Sequence, residues 1–296
     1  MQIRYGYELM FCCPQSTPMI LMLHTHPSRV GDLLKPDTMV TDPPSSLQLY
    51  SDAYGNTCTR LIATPGQFKV TADALIADDG LPDPIDREAR EHAVETLPNE
   101  CLMYLLASRY CETETLMSEA WRMFGDVQPG WARVQAIVDF SHEYLTFGYE
   151  FARSTKTAWN AYTERQGVCR DFAHLAITLC RCMNIAARYC TGYLGDIGVP
   201  PMPEPMDFAG WMEVYIGHKW HTFDPRHNQR RIGRILIARG RDAADVAIST
   251  TFGTNYLQSF RVWTDQVDPN QARDCGQAPH LRSAQGPRTG ANAAGA

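Results

Sequence analysis

The hydrophobic period of this chain changes twice, and those two switches limit the folds open to it. Residues 3–11 place Ile3, Tyr5, Tyr7, Leu9 and Phe11 on one side and Arg4, Gly6 and Glu8 on the other. A period of two marks a half-buried strand. An apolar run over residues 18–26 follows, then short runs over 46–51, 57–63 and 67–76, parted by Tyr54-Gly55-Asn56 and Pro65-Gly66. Strands punctuated by turns in this way predict an antiparallel β domain over residues 1–85. Residues 78–86, with Gly80, Pro82 and Pro84, read as a linker.

Beyond the linker the period becomes helical. Over 130–147, Val134, Ile137, Val138, Ser141, Tyr144 and Leu145 form one stripe, with Pro129-Gly130 at the start and Gly148 at the end. A shorter helix over 157–166 stops at Gly167, and a third over 169–185 carries Phe172, Ala176, Leu179 and Met183 on an amphipathic face. Strands then return at 187–194, 208–216, 219–224 and 257–267, the middle two joined through Gly217-His218 as a tight hairpin. Helices followed by an antiparallel sheet make an α+β core over residues 100–267. From Cys275 to Ala296 no apolar period remains, which predicts a disordered tail.

Composition removes several function classes. Lys and Arg number 27 against 33 Asp and Glu, a net charge of −6, so no basic excess is present to neutralise nucleic-acid phosphates. No apolar stretch nears the ~20 residues of a membrane helix. The first strand carries Arg4 and Glu8, unlike a signal peptide, and the expected location is the cytoplasm. Ten cysteines in 296 residues are too sparse for a disulfide scaffold, and the Cys180-x-Cys182 pair points its thiols to different helix faces, so no metal or cofactor is expected. Cys180 and Cys190 read as small core hydrophobes. The oligomeric state is left open.

The chemistry concentrates at Gly167-Val168-Cys169-Arg170-Asp171. Gly167 ends one helix and Cys169 begins the next, where unpaired backbone N–H groups and the positive end of the dipole favour a thiolate. The expectation is that Cys169 has a lowered pKa and is the most reactive thiol. The same N–H groups suit a developing oxyanion. Asp224 closes the second strand of the hairpin.

Four segments in this order resemble the transglutaminase-like superfamily. Residues 167–173 resemble its nucleophile motif, 188–193 the strand after it, 207–215 its His-Ala-Trp strand, and Trp220-His221-Thr222-Phe223-Asp224-Pro225 its Asp-bearing strand. The resemblance covers about residues 100–265, and the β-rich start resembles the region preceding this core in many bacterial members. It implies a papain-like core in which Cys169 is nucleophile and Asp224 orients an imidazole, acting by acyl transfer through a thioester.

One position departs from the pattern. The family His corresponds to Ala209. If Gly217-His218 is the turn, Ile216 pairs with Lys219, so 209 faces 226, 211 faces 224 and 213 faces 222. Ala209, Trp211, Asp224 and Arg226 then share a face, and His221 points away. His174 lies ~140° round the helix from Cys169. His227 is the imidazole that reaches Asp224, provided Pro225 breaks the ladder first. Arg226 is placed to meet an acidic substrate group, Glu213 to form an ion pair, and Arg230, Arg231, Arg234, Arg239 and Arg241 to form a solvated basic face. Two functions stay open. One is a thiol-dependent amide or peptide hydrolase or acyltransferase using Cys169, Asp224 and His227 on a peptide, protein or small amide. The other is an impaired scaffold that binds a peptide or protein partner.

Overall fold

The computed structural model describes residues 1–202 and 205–267; the segment read as a tail lies outside them. Seven strands open the chain: β1 (Gln2–Cys13), β2 (Thr17–Leu21), β3 (Leu33–Lys35), β4 (Val40–Asp42), β5 (Gln48–Ser51), β6 (Thr57–Ala63) and β7 (Gly66–Ala77). Five helices follow, α1 (Asn99–Leu102), α2 (Thr113–Phe124), α3 (Trp131–Tyr144), α4 (Ala158–Glu164) and α5 (Cys169–Cys182). Two-residue strands β8 (Thr146–Phe147) and β9 (Gln166–Gly167) pair in parallel between them. The chain then runs through β10 (Ala187–Leu194), β11 (Ala209–Ile216), β12 (Lys219–Phe223), β13 (Arg234–Gly240), β14 (Ser249–Thr251) and β15 (Tyr256–Val267). The α+β class is the one expected. Among the described residues no helix is long and apolar enough to cross a membrane.

The alternation of β1 does what period two requires: Ile3, Tyr5, Tyr7, Leu9 and Phe11 are all buried. Its neighbours correct the expected division. β1 lies between β7 and β15, with Gln2 opposite Ala77 on one side and Val267 on the other. β14 likewise adds to β2. The strand assigned to the core at 257–267 therefore completes the amino-terminal sheet, and one continuous hydrophobic cluster runs from Ile3 through Phe172 to Val262. The physical reason is that a strand with two ladder edges and a buried face needs a partner on each edge.

The linker reading is corrected too. Asp83 N–H donates to Arg231 O at 2.9 Å, and its carboxylate accepts from Arg231 N–H at 3.0 Å and from Arg234 Nε at 2.9 Å. Residues 78–86 are a strap pinned to the core. Pro and Gly here shape a fixed path rather than a free joint.

The second sheet has the order β12-β11-β10-β13. Every residue of β10 is buried: the strand lies inside the sheet between β11 and β13, and α5 packs on it. At the outer edge of β13, His26 N–H donates to Leu236 O at 2.8 Å and Asn56 Nδ2 to Arg239 O at 2.8 Å. The hairpin register is the expected one, with Ile216 opposite Lys219 and Met212 opposite Phe223. Gly217 and His218 both have positive φ, 57° and 63°, the turn whose twist suits a two-residue hairpin.

Candidate active site

Cys169 is the first residue of α5 and is half-buried. The preceding loop is tight: a Cβ on Gly167 would lie 2.6 Å from Asp171 Cβ. That approach lets Asp171 Oδ2 accept from Val168 N–H at 3.0 Å. A carboxylate thus occupies the helix terminus and offsets the positive end of the dipole. Burial first, then the Asp207 charge, with Asp171 and Asp224 adding to it, push the Cys169 thiol up to about 11, against an opposing hydrogen bond from Gly210 N–H. The expected lowering of its pKa is overturned. A helix start favours thiolate only where carboxylates do not crowd it.

Asp224 follows β12 and is 6% exposed. The ladder stops at Phe223, Pro225 ends the strand, and the chain turns, with Asn228 N–H donating to Asp224 O at 2.7 Å. The turn brings His227 back over the carboxylate. Its N–H donates to Asp224 Oδ1 at 3.0 Å and its Nδ1 lies 2.9 Å from Oδ2. A carboxylate accepts, so Nδ1 carries the proton and Nε2 is left with its lone pair. Among the described residues no hydrogen bond joins His227 to the Cys169 thiol. Burial alone would raise the Asp224 carboxyl, but the Arg234 guanidinium and His227 outweigh it and hold it well below the usual carboxylate range.

Two sets of residues that the sequence reading did not single out for this site hold this arrangement. Arg234, the first residue of β13, donates Nη2 to Asp224 Oδ2 at 2.8 Å and Nε to Asp83. The arginines read as a solvated face are in part interior: Arg231 is 3% exposed, and Arg239 lies 3.2 Å from Glu213. Carboxylates on other elements neutralise them, a pairing that local spacing does not reveal. The second set is a stripe on α3. Gln135 Nε2 donates to Asn228 Oδ1 at 3.1 Å, Asn228 Nδ2 to Asp139 Oδ1 at 2.9 Å, and His142 Nδ1 to the carbonyls of Pro225 and Arg226 at 3.2 and 3.1 Å. Gln135, Asp139 and His142 are spaced four and three apart, a polar stripe that was visible beside the apolar one.

The remaining candidates separate. Ala209 pairs with Gly192 and packs with Cys190, Trp211 and Leu236, while Arg234 lies over the Trp211 ring at 5.1 Å. Arg226 does not face position 209, because the turn carries its guanidinium onto the Phe147 ring at 3.7 Å. Glu213 forms the ion pair, 2.6 Å from Arg188. His174 is fully buried, accepting from Ala243 N–H at 3.1 Å, and His221 packs against Trp131. Among the described residues no group of three or more His, Cys, Asp or Glu could hold a metal ion.

Residues 120–225 match the model of the transglutaminase-like superfamily. An uncharacterized protein of Mycobacterium tuberculosis is 36% identical over 118 residues, covering 36% of this chain and 37% of that protein. One of Mycobacterium leprae is 36% identical over 92 residues, 30% of this chain and 32% of that protein. The match therefore spans about a third of these relatives' own length. A crystal structure of a candidate cysteine protease from Cytophaga hutchinsonii superposes with a TM-score of 0.78 at 29% identity, covering 90% of this chain and 91% of that one.

Proposed function

We propose, for a chain whose core belongs to the transglutaminase-like superfamily, that it cleaves or transfers an amide through a thioester on Cys169. The observation that carries this reading is the 2.9 Å hydrogen bond between His227 Nδ1 and Asp224, formed although the family His position holds Ala209. A thiol held near 11 is protonated at neutral pH and needs a base. His227 Nε2 takes the Cys169 proton as sulfur attacks the amide carbonyl, and returns it to the leaving nitrogen as the C–N bond breaks. Asp224 holds the imidazole tautomer and stabilises its cationic form. Water then releases the acid, or a second amine takes the acyl group. The substrate is a peptide, protein or small amide.

The impaired-scaffold reading keeps one point in its favour, the absence of a hydrogen bond between Cys169 and His227 among the described residues. A panel of fluorogenic peptide amides and glutamine-donor amides separates the two. Turnover by the full chain that disappears in Cys169→Ala and falls ~10²–10⁴-fold in His227→Ala supports the enzyme. Turnover untouched in both variants, or no turnover on any amide together with tight peptide binding, overturns it.

A further inference from the structure

The segments that carry Cys169 and His227 are joined by a ring and a guanidinium. Phe147 stands opposite Gly167 in the β8–β9 ladder, where Gly148 N–H donates to Gly167 O at 3.2 Å, and Cys169 follows directly in the chain. Arg226 sits on the turn between Asp224 and His227, its carbonyl accepting from His142 Nδ1 at 3.1 Å. The Arg226 guanidinium carbon lies 3.7 Å from the centre of the Phe147 ring, a cation–π contact. The ring is itself anchored, packed on the core and 6.4 Å from the Phe172 ring of α5. The stack therefore spans the strand that leads to the thiol and the turn that carries the imidazole.

The arginines here differ in what they meet. Arg170 lies 3.3 Å from the Asp171 carboxylate and Arg234 lies 2.8 Å from that of Asp224. Arg226 is half-buried and meets no carboxylate among the described residues; its side-chain hydrogen bond there goes to Met202 Sδ at 3.9 Å, a weak acceptor. A guanidinium carries five N–H donors in a rigid plane. With one face stacked on Phe147, that plane is already oriented, so little freedom is lost when a carboxylate takes two donors in parallel. We propose that Arg226, stacked on Phe147, is a specificity-determining residue that anchors a carboxylate carried by the substrate beside its scissile amide. The inference rests on Cys169 being the acylated thiol and narrows the substrate of the proposed reaction to an acidic amide. The carboxylate belongs to an acidic side chain or to a chain end, and the same pair of N–H···O bonds recognises either.

Alkylation of Cys169 in the full chain by iodoacetate and by iodoacetamide tests this without turnover. The reagents differ in a carboxylate against a carboxamide. In each case the thiol proton goes to solvent, the S–C bond forms and iodide leaves. Peptide mass spectrometry gives both rates, and their ratio cancels the ionisation of the thiol. Arg226→Gln is expected to lower the iodoacetate-to-iodoacetamide ratio about tenfold, and Arg226→Lys to keep it within about threefold of wild type. Arg230→Gln removes the same charge nearby on the chain and leaves the ratio unchanged. The loss in Arg226→Gln shrinks in about 1 M salt. Equal ratios in wild type and Arg226→Gln overturn the proposal. So does an equal fall in Arg230→Gln, which marks a long-range field. Millimolar peptides then identify the source by shielding Cys169 from iodoacetamide: acetyl-Ala-Ala-Ala with a free carboxyl end, its terminal amide, and acetyl-Ala-Glu-Ala amide. Protection by the first assigns a chain end and by the third an acidic side chain, in either case lost in Arg226→Gln. Protection by none, or equal protection by the uncharged peptide, overturns the substrate class. Because alkylation needs no turnover, an inert panel of amides counts against the proposed function and leaves this test standing.

Discussion

At Asp224 burial and charge pull in opposite directions, and charge wins through Arg234 and His227. A carboxyl whose folded pKa lies below its unfolded value of ~3.9 stabilises the fold at neutral pH and loses that contribution as pH falls below ~4. Asp224→Asn leaves the buried Arg234 with Asp83 alone. Breaking such a buried pair typically costs ~3–5 kcal/mol, so the variant is expected to lose about 3 kcal/mol at pH 7. Urea unfolding at pH 7 and pH 3 checks both parts: the gap between wild type and variant must narrow at the lower pH, and an equal gap at both overturns the assignment. At this scale the sequence was half legible. Cys169 and Asp224 stood in recognisable motifs, and His227 followed from counting register and letting Pro225 end the strand. The ionisation of Cys169 was misread because Asp207 and Asp224 reach it only through the fold, and because Asp171, visible two residues away, was not weighed against the dipole.

Among the elements, α3 does more than pack. Its stripe of Gln135, Asp139 and His142 clamps the turn that carries His227, with Asp139 accepting from both Gln135 and Asn228. Asp139→Ala is expected to free that turn while the helices keep their packing. Hydrogen exchange should show the His227 and Asn228 amides exchanging at least about tenfold faster, with the amides of α5 unchanged. Protection of both turn amides at the wild-type level would show that Gln135 and His142 hold the turn without Asp139. The β11–β12 register was legible because a two-residue turn and a period of two leave one solution. β13 was not, since its arginines read as solvent-facing until Asp83, Asp224 and Glu213 were placed against them. α5 misleads in a related way. It scans as amphipathic, yet its polar positions are interior, Arg181 donating to Ala187 O at 2.9 Å and to Leu106 O at 3.1 Å.

Across the whole molecule, the strap at 78–86 and the strand at 256–267 bind the two halves into one body. Local pattern could not show either, because pairing across 250 residues leaves no trace in a window of ten. Limited proteinase K or thermolysin digestion of the native chain is expected to spare residues 78–86. Asp83→Ala, which removes the carboxylate's bonds to Arg231 N–H and Arg234 Nε and leaves the backbone bond to Arg231 O, should open that segment to cleavage before the rest of the chain. Rapid cutting of wild type at 78–86 would restore the hinged-linker picture. The β1–β15 ladder also orders events during synthesis. β1 leaves the ribosome well before β15, yet one of its two edges stays open until Tyr256–Val267 has been translated. At ~5–20 residues per second that delay is roughly 10–50 s. Throughout it, twelve residues of largely apolar strand present free N–H and C=O groups to any neighbouring chain. A nascent chain of this protein thus has a claim on chaperones at β1 that lasts until β15 is made.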